Sequence, residues 1–461
     1  MNTIIVSGLL GVLMMFSGIF TTNKQTIKNI AIVGLVFLLL ANILGTYGIW
    51  NIVIDTKGML EFTKFGMFFN SIIIFSSLMY VLLSGNDIVE VGNYAAEYFA
   101  LIFFILCGVS ILSSYNNLLM LFLGVEIMTI PLYILAGTDK KNLKSNEASL
   151  KYFLMGAFST CIMLMGIALM YGVSGNFNVF YEITLTALTT KNHGILLPLG
   201  LLFIFASMLF KVSAAPFHFW TPDVYDGSPS VFTSFMSTIV KVAGFIAFIK
   251  LFEGRFVQLQ SSWKLLLPLV IIATLLIGNI TAVFQQSVKR MLAYSSIAQA
   301  GFMLFALYSN NETSREGILL YSIAYCLATI GVFSILVKMK DYTFDGFIGL
   351  AKTQPILAAS NTIFLLSLAG IPLTAGFFAK YYMLVSAIQS HNAIFLVIVA
   401  VLFAAVSVYY YFRVIQAMYF KQGNAEVNTI STEFKLGLIV MAALIILFGI
   451  MPNMLLQWLY F

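Results

Sequence analysis

Apolar runs of about 20 residues recur along the whole sequence, and each is long enough, as a helix, to cross roughly 30 Å of hydrocarbon. Of the 461 residues, 61% are hydrophobic and only 9% are charged, whereas about a quarter of residues are charged in soluble domains. We therefore predict an all-α polytopic membrane protein. The first run, from Ile4 to Phe20, lacks the basic flank and cleavage site of a signal peptide, so we expect it to be retained as a helix.

The runs predict about fourteen transmembrane helices, whose connections alternate between the two faces of the membrane. Fourteen basic residues follow odd-numbered spans: Lys24, Lys28, Lys140, Lys141, Lys144, Lys151, Lys289, Arg290, Lys338, Lys340, Lys352, Arg413, Lys421 and Lys435. Seven follow even-numbered spans: Lys57, Lys64, Lys191, Lys250, Arg255, Lys264 and Arg315. The positive-inside rule then predicts that the richer face is cytoplasmic and that both termini lie outside.

Four charged residues are predicted to lie inside the membrane. Lys211, Lys241 and Lys380 fit no connection, and Glu126 lies in the middle of the run NLLMLFLGVEIMTIPLYILAG. A lone charge in hydrocarbon costs several kcal/mol unless it is paired or neutralised. Such residues mark ion and proton pathways in membrane proteins, although each could instead make a structural hydrogen bond or charge pair.

Two of these lysines lie beside helix-breaking segments. Lys211 begins the segment KVSAAP, and Lys380 follows the segment GIPLTAG. Proline has no N–H to donate, so carbonyl groups of the preceding turn lose partners, and small residues leave room for water. We therefore predict broken helices 7 and 12, counted as membrane spans along the sequence. We expect Glu126 to pair with Lys211 and to control whether that lysine holds a proton.

The two breaks recur at the fourth helix of two five-helix units. The predicted division is an N-terminal three-helix segment (1–95), a first unit (96–252), a second unit (262–421) and a C-terminal helix (434–461). Because five is odd, consecutive units enter the membrane with opposite topology, which is the inverted-repeat layout of many transporters.

Polar side chains interrupt the tenth span, between Lys241 and Lys380 in sequence. They are Tyr294, Ser295, Ser296 and Gln299. Hydroxyl and amide groups do not store a proton at ordinary pH, but with water they can form a hydrogen-bonded path. Each alone could equally be a packing contact between helices.

Three further residues follow Lys211 in the segment FKVSAAPFHFWTPDVYDGSP. His218 could feed protons towards Lys211, or it could be a satisfied loop histidine. Asp223 and Asp226 lie at the predicted cytoplasmic mouth and could simply be solvated.

The sequence predicts no redox, nucleotide or metal cofactor in this chain. Cys107, Cys161 and Cys326 lie singly inside apolar runs, without C-x-x-C spacing. Neither paired histidines for haem nor a G-x-G-x-x-G motif is present. The net charge of +6 comes from basic residues beside membrane helices, so it indicates topology and not a nucleic-acid partner.

Five motifs resemble the antiporter-like membrane subunits of respiratory complex I, and specifically the N-type subunit. They are LGVEIMTIPLYILAG, EASLKYFLMGAFST, FKVSAAPFHFWTPDVYDGSP, KRMLAYSSIAQAGF and AGIPLTAGFFAKYY, covering roughly residues 115 to 385. A lysine at position 380 fits the N-type better than the M-type subunit, and the chain is too short for the L-type.

The resemblance implies a proton-translocating subunit of NADH:quinone oxidoreductase, with Glu126, Lys211, Lys241 and Lys380 as the relay. It also implies partner subunits that carry FMN, iron–sulfur clusters and quinone, together with M-type and small K-, J- and A-type membrane subunits and lipids, in a bacterial cytoplasmic membrane. The family often has histidine where this chain has Gln299, so water must do more of the work there. A multisubunit cation/proton antiporter and a structural scaffold remain alternatives.

Overall fold

The computed structural model describes residues 1–178, 195–252, 260–391 and 393–460. Within this part of the chain most residues are helical, and β-structure is limited to isolated bridges. Twelve described helices are long and apolar enough to cross a membrane, which confirms the all-α polytopic fold class. Lys191, His193 and Arg255 lie outside the described residues, and the side chains of Lys264 and His391 are likewise not described.

The helices are numbered here in chain order, leaving out the single turns Asp345–Phe347 and Leu350–Thr353. They are α1 (Asn2–Phe20), α2 (Lys24–Thr46), α3 (Lys64–Glu90), α4 (Ala95–Ser114), α5 (Leu118–Ala136), α6 (Leu143–Ser174), α7 (Leu196–Lys211), α8 (Trp220–Gly227), α9 (Ser230–Phe252), α10 (Gln260–Val283), α11 (Val288–Ser309), α12 (Glu312–Lys338), α13 (Pro355–Ala369), α14 (Ala375–His391), α15 (Ile394–Phe420), α16 (Thr432–Ile450) and α17 (Asn453–Tyr460).

Two shorter apolar helices, α7 and α13, are each followed by a break. Residues 212–219 separate α7 from α8, and residues 370–374 separate α13 from α14. These are the Pro/Gly segments in which the sequence predicts broken helices. A total of fourteen spans requires each broken pair to cross the membrane once. That count, the two inverted five-helix units and the division of the chain stay predictions.

Helix α12 lies at the centre of the molecule. Its apolar stretch of 18 residues is entirely buried inside the protein, and the helix packs against α3, α9, α11, α13, α14 and α16. In α1 and α15, only 28% of the corresponding stretch is buried. An apolar helix needs no polar face when it is surrounded by other helices or by lipid, so hydropathy alone does not separate central from peripheral helices.

Three of the lysines that the sequence places in connections lie near the ends of helices and are buried or ion-paired there. Lys28 in α2 and Lys289 in α11 are buried, and Lys338 is the last residue of α12, with its Nζ 2.6 Å from Asp87 Oδ1. The assignment of these three lysines to connections was wrong because hydropathy locates only the middle of a span. Near its ends, polar groups on neighbouring helices satisfy a charge.

Candidate functional site

Helix α7 ends at Lys211, and the turn that follows uses the carbonyl groups that the helix end leaves free. The amide of Val212 donates to the carbonyl of Met208 at 3.1 Å. Trp220 Nε1 donates to the carbonyl of Phe210, also at 3.1 Å. Lys211 lies in the last turn, so its ammonium group is at the negative end of the helix dipole, where a positive charge is favoured.

The hydroxyl of Thr160 joins Glu126 to Lys211. It donates to Glu126 Oε1 at 2.8 Å and accepts from Lys211 Nζ at 3.3 Å. The three side chains come from α5, α6 and α7, and none of the ion pairs between described residues joins Glu126 directly to Lys211. Sequence reasoning missed Thr160 because a threonine inside an apolar helix resembles an ordinary packing residue.

Lys241 is buried in α9, with 1% of its surface exposed. The preceding turn, Met236–Val240, is a π-helix, a widened turn that is frequent at functional sites. Lys241 Nζ donates to the carbonyl of Ser296 at 2.8 Å and to its Oγ at 2.9 Å. It also lies 5.9 Å from the centroid of the Tyr225 ring. The described partners of Lys241 are therefore neutral.

Gln299 connects α11 to three other helices. Its Nε2 donates to the carbonyl of Leu368 on α13 at 2.9 Å and to the hydroxyl of Tyr411 on α15 at 3.2 Å. The hydroxyl of Tyr321 on α12 donates to its Oε1. The hydroxyl of Ser295 is hydrogen-bonded to that of Tyr411. A polar line therefore runs from Ser295 through Tyr411 and Gln299 to the end of α13.

Lys380 lies on α14, beyond the second break, and is 7% exposed. Its Nζ donates to the carbonyls of Leu368 and Ala369, both at 2.9 Å. These carbonyls are available because Gly370, at φ +83°, ends α13 and directs its own N–H to Leu366 and Ser367. The lysine also lies 4.8 Å from the centroid of a phenylalanine ring on α11.

Gln299 and Lys380 thus donate to the same carbonyl, that of Leu368. They also line one small cavity together with Tyr321 and Tyr325. Its volume of about 10 Å³ is close to the least that holds one water molecule. The amide therefore contributes a hydrogen-bonding position next to Lys380, although it does not titrate.

Two other predicted residues lie apart from this line. Tyr294 is partly buried on α11, and its hydroxyl makes no hydrogen bond to the described residues. His218 is buried in the segment between α7 and α8, with its ring centroid 4.6 Å from that of Phe219. Its Nδ1 has no hydrogen-bond partner within the described part of the chain.

Asp223 and Asp226 are not simply solvated, because both make ion pairs. Asp223 lies 3.2 Å from Lys151 Nζ and 3.1 Å from Arg290, and Asp226 lies 3.7 Å from Arg290. These groups are partly exposed, so each pair contributes little to stability. Their effect is to join α6, α8 and α11 beside the first break.

The site is therefore built from three lysine amines, one carboxylate, and hydroxyl, amide and carbonyl groups. Amines and carboxylates bind and release protons, and hydroxyls donate and accept hydrogen bonds at once. Among the described residues, no group of three or more His, Cys, Asp or Glu could hold a metal ion. The arrangement suits the movement of protons from one buried group to the next.

Comparison with known proteins places the chain in a family. Residues 115–407 match the family described as NADH:quinone oxidoreductase/Mrp antiporter, TM. The chain is 40% identical to NADH-quinone oxidoreductase subunit N of Cytophaga hutchinsonii, over 99% of both chains. It is 37% identical to subunit N of Trichlorobacter lovleyi, over 98% of this chain and 94% of that one.

Solved structures show the same fold. A chain of respiratory complex I from Thermus thermophilus superposes with a TM-score of 0.85 and 29% identity, over 99% of this chain and 98% of that one. A chain of the Mrp complex from Dietzia has a TM-score of 0.84 over 100% and 96%, but at 17% identity it shows the fold alone. The protein therefore belongs to the NADH:quinone oxidoreductase/Mrp antiporter transmembrane family, in its subunit N group.

Proposed function

We propose that this chain is the proton-translocating membrane subunit of a NADH:quinone oxidoreductase, and that Glu126, Lys211, Lys241 and Lys380 carry the protons. The single observation that supports this most is that Lys380 and Gln299 share the carbonyl of Leu368. A buried amine then stands next to a line of hydrogen-bonding groups that leads back towards the middle of the molecule.

In the proposed path, a proton enters from the cytoplasmic face and loads Lys211 under the control of Glu126. It passes to Lys241 and leaves through Lys380. The carboxylate acts through Thr160, since that hydroxyl touches both charged groups. A change in the position or charge of Glu126 alters how strongly Lys211 holds its proton.

The energy for this movement comes, in this proposal, from partner subunits. They carry FMN, iron–sulfur clusters and quinone, whereas this chain holds no redox centre. Its neighbours are the M-type antiporter-like subunit and the small K-, J- and A-type subunits, together with lipids. The complex lies in a bacterial cytoplasmic membrane, with both termini of this chain outside.

A cation/proton antiporter subunit is the second candidate, because the matched family includes Mrp antiporters. Relatives at 37% and 40% identity that are named subunit N favour the first candidate. Sodium efflux that is independent of NADH would favour the antiporter.

The proposal is tested by Lys211→Ala and Lys380→Ala in inverted vesicles. Each should lower the rate of NADH-driven proton uptake by about tenfold or more, because a positioned proton-transfer group contributes at least that much. Lys352→Ala, at an exposed lysine, is the control and should leave uptake unchanged. Full pumping by an assembled Lys211→Ala complex contradicts the proposal. Loss of assembly in every buried-lysine variant, without a separate pumping defect, supports a scaffold instead.

A further inference from the structure

A largely buried ion pair joins α3 to α12, away from the line that ends at Lys380. Lys338 Nζ lies 2.6 Å from Asp87 Oδ1, and Asp87 is 8% exposed. The other carboxylate oxygen, Oδ2, has no partner among the described residues. A buried pair gains little stability when part of it remains unsatisfied, so packing alone does not explain why both charges are present.

The pair lies at one end of the helix bundle, near the C-terminal ends of α3 and α12. Asp87 is one turn before the end of α3, and Lys338 ends α12. Other charged groups surround it: Lys24 donates to the carbonyl of Val89, Lys28 donates to Asn86, and Glu90 shares its helix. The ring of Phe434 on α16 packs over the ammonium of Lys338, with 5.2 Å between Nζ and the ring centroid. The count of basic residues predicts that this end of the bundle is cytoplasmic.

A line of hydroxyl groups follows α3 inward from Asp87. Ser84 is hydrogen-bonded to Ser334 of α12 at 3.1 Å. Tyr80, one turn deeper, donates to the carbonyl of Val231 on α9 at 3.0 Å. Ser77 and Ser76 continue the same helix and are fully buried. Ser76 lies eleven positions before Asp87, which corresponds to roughly 16 Å along the helix.

A second line of hydroxyls follows α9 from the same end and finishes at Lys241. It consists of Ser230, Ser234 and the adjacent pair Ser237 and Thr238, all buried and about one helical turn apart. The first part of α9 packs against both α3 and α12. Tyr325 of α12 donates to the carbonyl of Ser237 at 2.7 Å, one turn before Lys241. The hydroxyls of α3 and those of α9 therefore lie in the same interface, which is formed by α3, α9 and α12.

Several polar atoms of this interface have no protein partner within the described residues. They are Asp87 Oδ2, Ser230 Oγ and Ser234 Oγ. Buried polar atoms rarely remain unpaired, and ordered water commonly satisfies them. The unsatisfied atoms lie along the interval between the ion pair and Lys241, where a proton path requires water.

We propose that the Asp87–Lys338 pair is a second proton-loading site, from which the hydroxyls of α3 and α9 lead a proton to Lys241. The Asp87 carboxylate takes a proton from water at its face of the membrane, which releases Lys338 from the pair. The proton then leaves Asp87 along hydroxyls and water, each accepting one proton and giving one, and ends on the neutral amine of Lys241. This inference rests on the proposed function, and it gives Lys241 a supply that does not pass through Lys211.

Ser84→Val and Ser84→Thr test the path without changing a charge. The two side chains are similar in shape and both are β-branched, but only threonine keeps a hydroxyl. In the assembled complex in inverted vesicles, the number of protons taken up per NADH oxidised should be lower for Ser84→Val than for Ser84→Thr, because a hydrogen-bonded path needs a hydroxyl at this position. Equal ratios in the two variants overturn the inference.

Asp87→Asn and Asp87→Glu test the loading site itself. We expect proton uptake per NADH to fall in Asp87→Asn and to recover in Asp87→Glu, since glutamate restores a group that titrates. Equal loss in both variants shows a role in packing only and overturns the inference. If Asp87→Asn does not assemble, the Ser84 variants decide.

The same measurements separate this inference from the proposed function. A loss of pumping in Lys211→Ala, together with equal ratios in the two Ser84 variants, overturns only the second loading site. Full pumping in assembled Lys211→Ala and Lys380→Ala complexes contradicts the function on which the inference rests.

Discussion

The two helix breaks hold a lysine in different ways. At the first break, Lys211 is partly buried and reaches the carboxylate of Glu126 through the hydroxyl of Thr160. At the second, Lys380 is buried and donates to two carbonyl groups at the end of α13. Similar sequence elements, a lysine and a Pro/Gly segment, have therefore acquired different partners.

The position of each lysine relative to its break explains part of this difference. Lys211 ends the helix before the break, where the helix dipole favours a positive charge. Lys380 follows the break, in the first half of α14, and the carbonyls at the end of α13 supply the negative dipole instead. A carboxylate can move or change its charge, whereas carbonyl dipoles are fixed. We infer that the first break is the adjustable one.

The largest expected effect on proton uptake is at the first break, where the hydroxyl of Thr160 bridges Glu126 and Lys211. Thr160→Val removes the hydroxyl that both charges touch, and a hydrogen bond to a charged group contributes about 1.5–3 kcal/mol. The rate of NADH-driven proton uptake should therefore fall about tenfold or more. Thr160→Ser keeps the hydroxyl and should retain most of the rate. Equal rates in the two variants would show that the carboxylate does not act through this bridge, and the contrast between the breaks would be lost.

Different effects on stability are expected at the left-handed positions of the two breaks. Gly370 has φ +83°, and a Cβ there would lie 2.8 Å from Lys380 Cδ. Gly370→Ala should thus destabilise the protein by about 1–2 kcal/mol. Ser213 has φ +62° in the first break, so Ser213→Gly should be neutral or stabilising. Thermal unfolding of the purified chain measures both, and destabilisation by Ser213→Gly would contradict the expectation.

The smallest effect is expected at Gln299, which serves only the second break. Gln299→Leu leaves the hydroxyls of Tyr411 and Tyr321 and the carbonyl of Leu368 with one partner fewer, at a cost of about 1 kcal/mol for each net hydrogen bond lost. Proton uptake should fall a few-fold. Gln299→His keeps a hydrogen-bonding ring and should preserve uptake. A complete loss in Gln299→Leu would instead make Gln299 as important as the lysines.

The spans and the breaks could be predicted because their causes are local. A run of about 20 apolar residues is long enough to cross a membrane wherever it occurs. A proline interrupts its own helix through a missing N–H. The prediction of paired charges was weaker, since it named Glu126 and Lys211 but not the threonine between them.

The remaining contacts join residues that are far apart in the sequence. Thr160 and Glu126 are 34 positions apart, Gln299 and Tyr411 are 112 apart, and Asp87 and Lys338 are 251 apart. Serine, threonine and tyrosine are common in apolar helices, so their type does not reveal which of them meet. Lys338 was assigned to a connection for the same reason.

Composition and apolar length by themselves determined that this chain is a bundle of membrane helices with a few expensive charges inside it. Those properties depend on the solvent that each segment needs. Only the tertiary structure decided which groups stabilise the charges, because a lysine in lipid depends on the neighbouring helix that reaches it. It gave Lys211 a carboxylate through Thr160, gave Lys380 the carbonyls of α13, and paired Asp87 with Lys338.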